Sequence, residues 1–117
     1  MMNKEQALGL IAREFAKAAA AKEVNNDGMV RVCARRAAGV AIRFWLQSNP
    51  RQGWGADAMN QLRNLQLDQT IPSPVRDAAM RLSTRITEQF TPAFSNDPVE
   101  DGKTIIDHLL NDTSQAT

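Results

Sequence analysis

Apolar residues recur three and four positions apart in every long segment of this chain, and that spacing constrains its fold more than any other feature. Such steps return to the same face of an α-helix, whose period is 3.6 residues. No segment alternates apolar and polar residues over six positions, tyrosine is absent and β-branched residues are scattered. The expected class is therefore all-α. At 117 residues, 43% hydrophobic and 23% charged, the chain has apolar surface enough for one core and length for one domain. That domain is expected over residues 1–112, with a frayed polar tail at 113–117.

Cap and breaker signals divide the chain. A first helix is expected over Lys4–Glu23, capped by Asn3 with Gln6 reaching back. Its inward face should carry Leu8, Ile11, Phe15, Ala18 and Ala19. The turn Asn25–Gly28 leads into a second helix over Asp27–Gln47, whose face from Val30 to Trp45 is wide, apolar and rich in alanine. This helix should be central. Ser48–Gly55 is a loop, and Ala56–Gln66 a short helix with Ala58, Met59, Leu62 and Leu65 inward. Ser73 is placed to cap a helix with Pro74 at its first position, running to about Phe90 with Val75, Ala79, Leu82 and Ile86 as its stripe. Thr91–Asn96 is a loop. Asp97, Pro98 and Glu100 open a last helix with Ile105, Ile106, Leu109 and Leu110 inward. Four main helices and one short one predict an antiparallel four-helix bundle with an additional short helix.

Several functions are excluded or disfavoured by residue type. One cysteine, Cys33, cannot form an internal disulfide, and one histidine, His108, cannot complete a zinc site with it. Cys33 reads as a small buried hydrophobe. Gly102-Lys103-Thr104 has the composition of a P-loop end, but the upstream glycine and the preceding strand are missing. No cofactor is implied. The first ten residues are too polar for a signal peptide, and no run approaches a membrane span, so cytoplasmic residence without membrane attachment is the expectation.

The arginines are the main candidate site. Arg31, Arg35, Arg36 and Arg43 fall within an arc of roughly 140° on the second helix, and a guanidinium fork matches phosphate oxygens bidentately. A solvated face paired with acids of the last helix is the competing expectation. Residues 1–60 carry nine basic and five acidic residues, and residues 61–117 carry five and eight. That polarity, +4 against −3, suits a homodimer. His108 sits beside the apolar stripe of the last helix, as a bundle-edge histidine would. Trp54, between Gly53 and Gly55, is either an exposed partner anchor or a lid on the bundle end.

The order of these pieces resembles the HEPN domain family, small helical modules associated with nucleotides and RNA cleavage. The likeness spans about Ala7 to Leu110. It rests on the long first helix, the segment ARRAAGVAIRFWL at 34–46, the short helix, IPSPVRDAAMRLSTRI at 71–86, the aromatic loop Phe90–Phe94 and DPVEDGKTIIDHLL at 97–110. It implies a helical bundle, a homodimer and possible association with a nucleotidyltransferase-like protein, a nucleotide or RNA. The ribonuclease members resemble one another in an Arg followed five to seven residues later by His. Here Arg85 meets Phe90 at that range, and only Lys103 stands at such a distance before His108. Without the imidazole no acid or base for cleavage is evident. The expected function is thus a non-catalytic binding or regulatory module. The alternatives are a toxin–antitoxin type ribonuclease in which His108 and Arg85 meet in space, and a nucleic-acid binder using the basic face.

Overall fold

The structure, a computed structural model, describes residues 1–84 and 97–111. All the regular structure in those residues is helical: α1 (Lys4–Glu23), α2 (Asp27–Ser48), α3 (Ala58–Leu67), α4 (Ser73–Ser83) and α5 (Pro98–Leu110). The start of α1 is the expected capping box. Asn3 Oδ1 accepts the Gln6 amide at 2.8 Å, and Gln6 Oε1 accepts the Asn3 amide at 2.9 Å. After α1, Asn25 takes a φ of 56°, a left-handed conformation that asparagine tolerates better than most residues. Asn26 then caps α2 by accepting from the Met29 amide.

Three boundaries differ from expectation. Helix α3 begins at Ala58 because Asp57 adopts an extended conformation and its carboxylate accepts the Asn60 amide. The residue preceding α4 is Pro72; Ser73 is already helical and makes no capping bond. Helix α4 stops at Ser83 rather than near Phe90. Its terminal Thr84 is extended, and Thr84 Oγ1 donates to the Met80 carbonyl at 2.8 Å. Ile86, Phe90 and Phe94 lie outside the described residues.

Helix α2 is central. It packs against α1, α5, α3 and α4, while α3 also packs on α4 and α4 on α5. Small side chains make this possible. Ala34, Ala37, Ala38, Gly39 and Ala41 are all buried, so neighbouring helices approach the α2 backbone closely. At Gly39 the approach is tightest: a Cβ there would stand 2.9 Å from the Ala58 Cβ of α3. Around α2, Ile42, Leu62, Leu65, Leu82 and Ile105 are fully enclosed. Each such burial contributes about 1.5–3 kcal/mol relative to exposure.

The apolar stripe of α5 is buried as the periodicity requires. That of α1 is not. Its buried residues are Ala7, Ile11, Ala18 and Ala21, whereas Leu8 is 46% exposed and Ala19 is exposed. Helix α1 packs mainly on one neighbour, so only a narrow stripe is covered, and it is centred on the small Ala7 rather than on Leu8. In α3, Gln61 is buried and Ala58 and Met59 only partly so. No described helix is long and apolar enough to cross a membrane.

Candidate functional site

The four arginines of α2 do not act as one face. Arg31 and Arg35 turn toward the C-terminal end of α4. Arg31 Nη1 donates to the Arg81 carbonyl at 2.9 Å, and Arg35 Nε donates to the Leu82 carbonyl at 2.7 Å, with Nη2 reaching the Thr84 carbonyl at 3.3 Å. The last carbonyls of a helix lack intrahelical partners and carry its partial negative charge, so two guanidiniums there satisfy both. Burial pulls the Arg31 pKa below the usual arginine value, and nearby Asp101 opposes that pull.

Beside this cap lies a buried ion pair. Asp101, 3% exposed, accepts a hydrogen bond from Arg81 Nε at 3.0 Å and stands 2.9 Å from Arg81 Nη2 in an ion pair, tying α5 to α4. The acid of the last helix thus pairs with Arg81 of α4 and not with an α2 arginine, although its charge reaches Arg31. The partner is Asp101, which the charge pattern marks only as a first-turn acid. Its position one helical turn before Ile105 places it in the buried stripe, and that spacing was the available signal.

Arg31 and Arg35 also line a cleft of about 940 Å³, together with Lys22, Asp27, Met59 and Asp97. Three cations and two carboxylates face it, and Lys22 Nζ stands 4.0 Å from Asp97 Oδ2. A cleft of this size and mixed charge can accept a small polar ligand, with the guanidiniums as anion donors.

Arg36 and Arg43 lie elsewhere. Arg36 is exposed and approaches Glu14 of α1 at 3.9 Å. Arg43 is half-buried, with Nη1 folded over Gly39. His108 is half-buried on α5 and makes no hydrogen bond or ion pair with the described residues. Arg85 lies outside the described residues. Cys33 is fully buried; burial pushes its thiol pKa up, and the Glu14 carboxylate adds to this. Among the described residues no cluster of three or more His, Cys, Asp or Glu could hold a metal.

Trp54 is buried, 6% exposed, and is therefore a lid rather than an exposed anchor. Its ring centroid is 5.9 Å from that of Trp45, tilted by 35°, and Arg51 covers the Trp45 ring at 5.0 Å. Arg51 Nε in turn donates to Asp68 Oδ2 at 2.9 Å. Asp68 is buried against its charge, but Thr70 and Arg51 outweigh that and hold its carboxyl below the usual range. Asn60 and Gln61 fasten the same loop by donating to the carbonyls of Trp54 and Gly55 at 2.9 and 2.7 Å. No family model, curated protein or solved structure matches the chain.

Proposed function

We propose that this chain is a non-catalytic binding or regulatory module, a four-helix bundle of HEPN-like order with one extra short helix. It works in the cytoplasm as a homodimer, with a nucleotide, RNA or protein partner that can include a nucleotidyltransferase-like protein. The observation that carries the reading is the setting of His108. The one imidazole sits on the edge of α5 with no acid, base or arginine engaging it among the described residues, and it does not line the cleft. General acid–base cleavage of RNA needs such groups within hydrogen-bond reach. The helix order and the charge polarity of the two halves support the bundle and the self-association.

Light scattering after size exclusion, combined with an RNA cleavage assay on the wild type and His108→Ala, tests the reading. A dimer mass and identical background cleavage in both proteins are expected. A strict monomer at high concentration would remove the homodimer. Cleavage that disappears with His108→Ala would make the chain a ribonuclease with rearranged chemistry instead.

A further inference from the structure

Helix α1 packs mainly on α2, so its opposite side is open among the described residues. Gly9 stands near the middle of that side. It lies roughly 160° round the helix from Ala7 and from Ile11, both buried in the core. Nothing in the single chain calls for a glycine here. Its φ is not positive, and a Cβ added to it would meet nothing within 4 Å. A glycine inside a helix is costlier than alanine, and its use is to let another backbone come close.

The residues one turn to either side of Gly9 carry opposite charges. Glu5 and Arg13 are both exposed, each about 6 Å from Gly9 along the axis. They are too far apart to pair with each other, and neither has an ion-pair partner among the described residues. Residues four apart form the ridges by which helices pack. Glu5–Gly9–Arg13 is such a ridge, and its charges read minus, none, plus. Turned end for end, the ridge is its own complement. Beside it lies a surface depression of about 510 Å³, lined by Met2, Gln6, Gly9, Leu10 and Arg13. It follows the furrow between this ridge and the neighbouring Gln6–Leu10 row. Met2 is fastened at one end of the furrow, where its amide and carbonyl both bond to the Gln47 side chain, at 2.9 and 2.7 Å. Leu10, 38% exposed, adds apolar surface.

We propose that a second copy of this chain docks on this face, its α1 crossing α1 antiparallel at Gly9, with Glu5 of each protomer against Arg13 of the other. The assignment rests on the homodimer reading and supplies its surface. A two-fold axis makes such a contact isologous, so the charge pair occurs twice. A parallel crossing would set glutamate by glutamate and arginine by arginine, so the charges select the antiparallel one. Four-apart ridges of two helices interdigitate at a crossing angle of about −50°, and a glycine at the contact permits an interaxial distance of about 8 Å. A second copy carries the matching plus–none–minus ridge by construction.

Light scattering after size exclusion, over a dilution series that yields the dimer Kd, tests the assignment. Gly9→Gln fills the depression without touching the core, so the melting temperature should hold or rise while the dimer mass is lost. Glu5→Arg and Arg13→Glu each turn two attractions into two repulsions, and each should weaken the dimer at least about tenfold. The two changes together restore both pairs and should return Kd to within about threefold of wild type. Arg63→Gln, at an exposed cation on α3, should leave Kd unchanged. Circular dichroism confirms that each variant is folded. A dimer indifferent to Gly9→Gln and to both single reversals overturns the α1 crossing and leaves the homodimer reading standing on another surface. Loss in the single reversals without recovery in the double overturns the antiparallel pairing. A wild type that stays monomeric at every concentration refutes the homodimer reading and the crossing with it.

Discussion

Replacing Asp101 by alanine perturbs the most consequential polar contact in the molecule. Asp101 is 3% exposed, accepts one hydrogen bond from Arg81 and pairs with its charge, with Arg31 close enough to feel that charge. Its removal leaves the Arg81 guanidinium, only one-fifth exposed, without a counter-charge. Breaking one side of a buried pair costs about 3–5 kcal/mol. Partial exposure of Arg81 places the expected loss at the lower end, about 3 kcal/mol. A first-turn acid acting only on the helix dipole would account for about 0.3–1 kcal/mol. The two explanations therefore differ severalfold. At roughly 4 °C per kcal/mol for a domain of this size, Asp101→Ala should lower Tm by about 12 °C. Urea unfolding followed by helical ellipticity measures the loss. The paired change Asp101→Leu with Arg81→Met removes both charges and should recover stability to within about 1 kcal/mol of wild type, because no buried charge is then stranded. An Asp101→Ala loss below 1 kcal/mol would refute the reasoning, reducing Asp101 to a surface acid.

Gly39→Ala places a Cβ 2.9 Å from the Ala58 Cβ, and neither atom belongs to a flexible chain end, so the α2–α3 crossing must widen. A loss of about 1–3 kcal/mol in urea unfolding is expected despite the better helix propensity of alanine, and an unchanged or raised stability would show that the crossing yields freely. Asp68 has a folded pKa below its unfolded value, so the unfolded chain binds more protons and the carboxylate stabilises the fold at neutral pH. That contribution is fully present above the unfolded carboxyl range, about pH 4, and is lost as pH falls through the lower folded pKa. Asp68→Asn should flatten this part of the stability–pH curve, which denaturation at pH 7 and pH 3 compares directly.

Much of the fold was legible in the chain because helix ends are local. The Asn3–Gln6 box and the Asp97-Pro98 start depend on residues within one turn. The central place of α2 was legible too, since five small residues on one helix allow several neighbours. The α4 end was not. Its stripe continues past Ser83, and its termination involves Arg31 and Arg35, about fifty residues away in sequence. Sequence spacing placed four arginines in one arc, but it carries no information about which carbonyl or carboxylate each can reach.

The amino-acid order by itself determined the helical class, the approximate number of helices, and the buried stripe of α5, because these follow from periodicity and nearest-turn chemistry. Tertiary structure alone decided that Trp54 is a lid on Trp45, that Leu8 faces water, and that Asp101 is buried with Arg81. It also divided the α2 arginines into two that cap a neighbouring helix, one that approaches Glu14 of α1 and one that folds over Gly39. The physical reason is that burial and charge pairing depend on which helix lies opposite, and that is set by the packing of the whole core around α2.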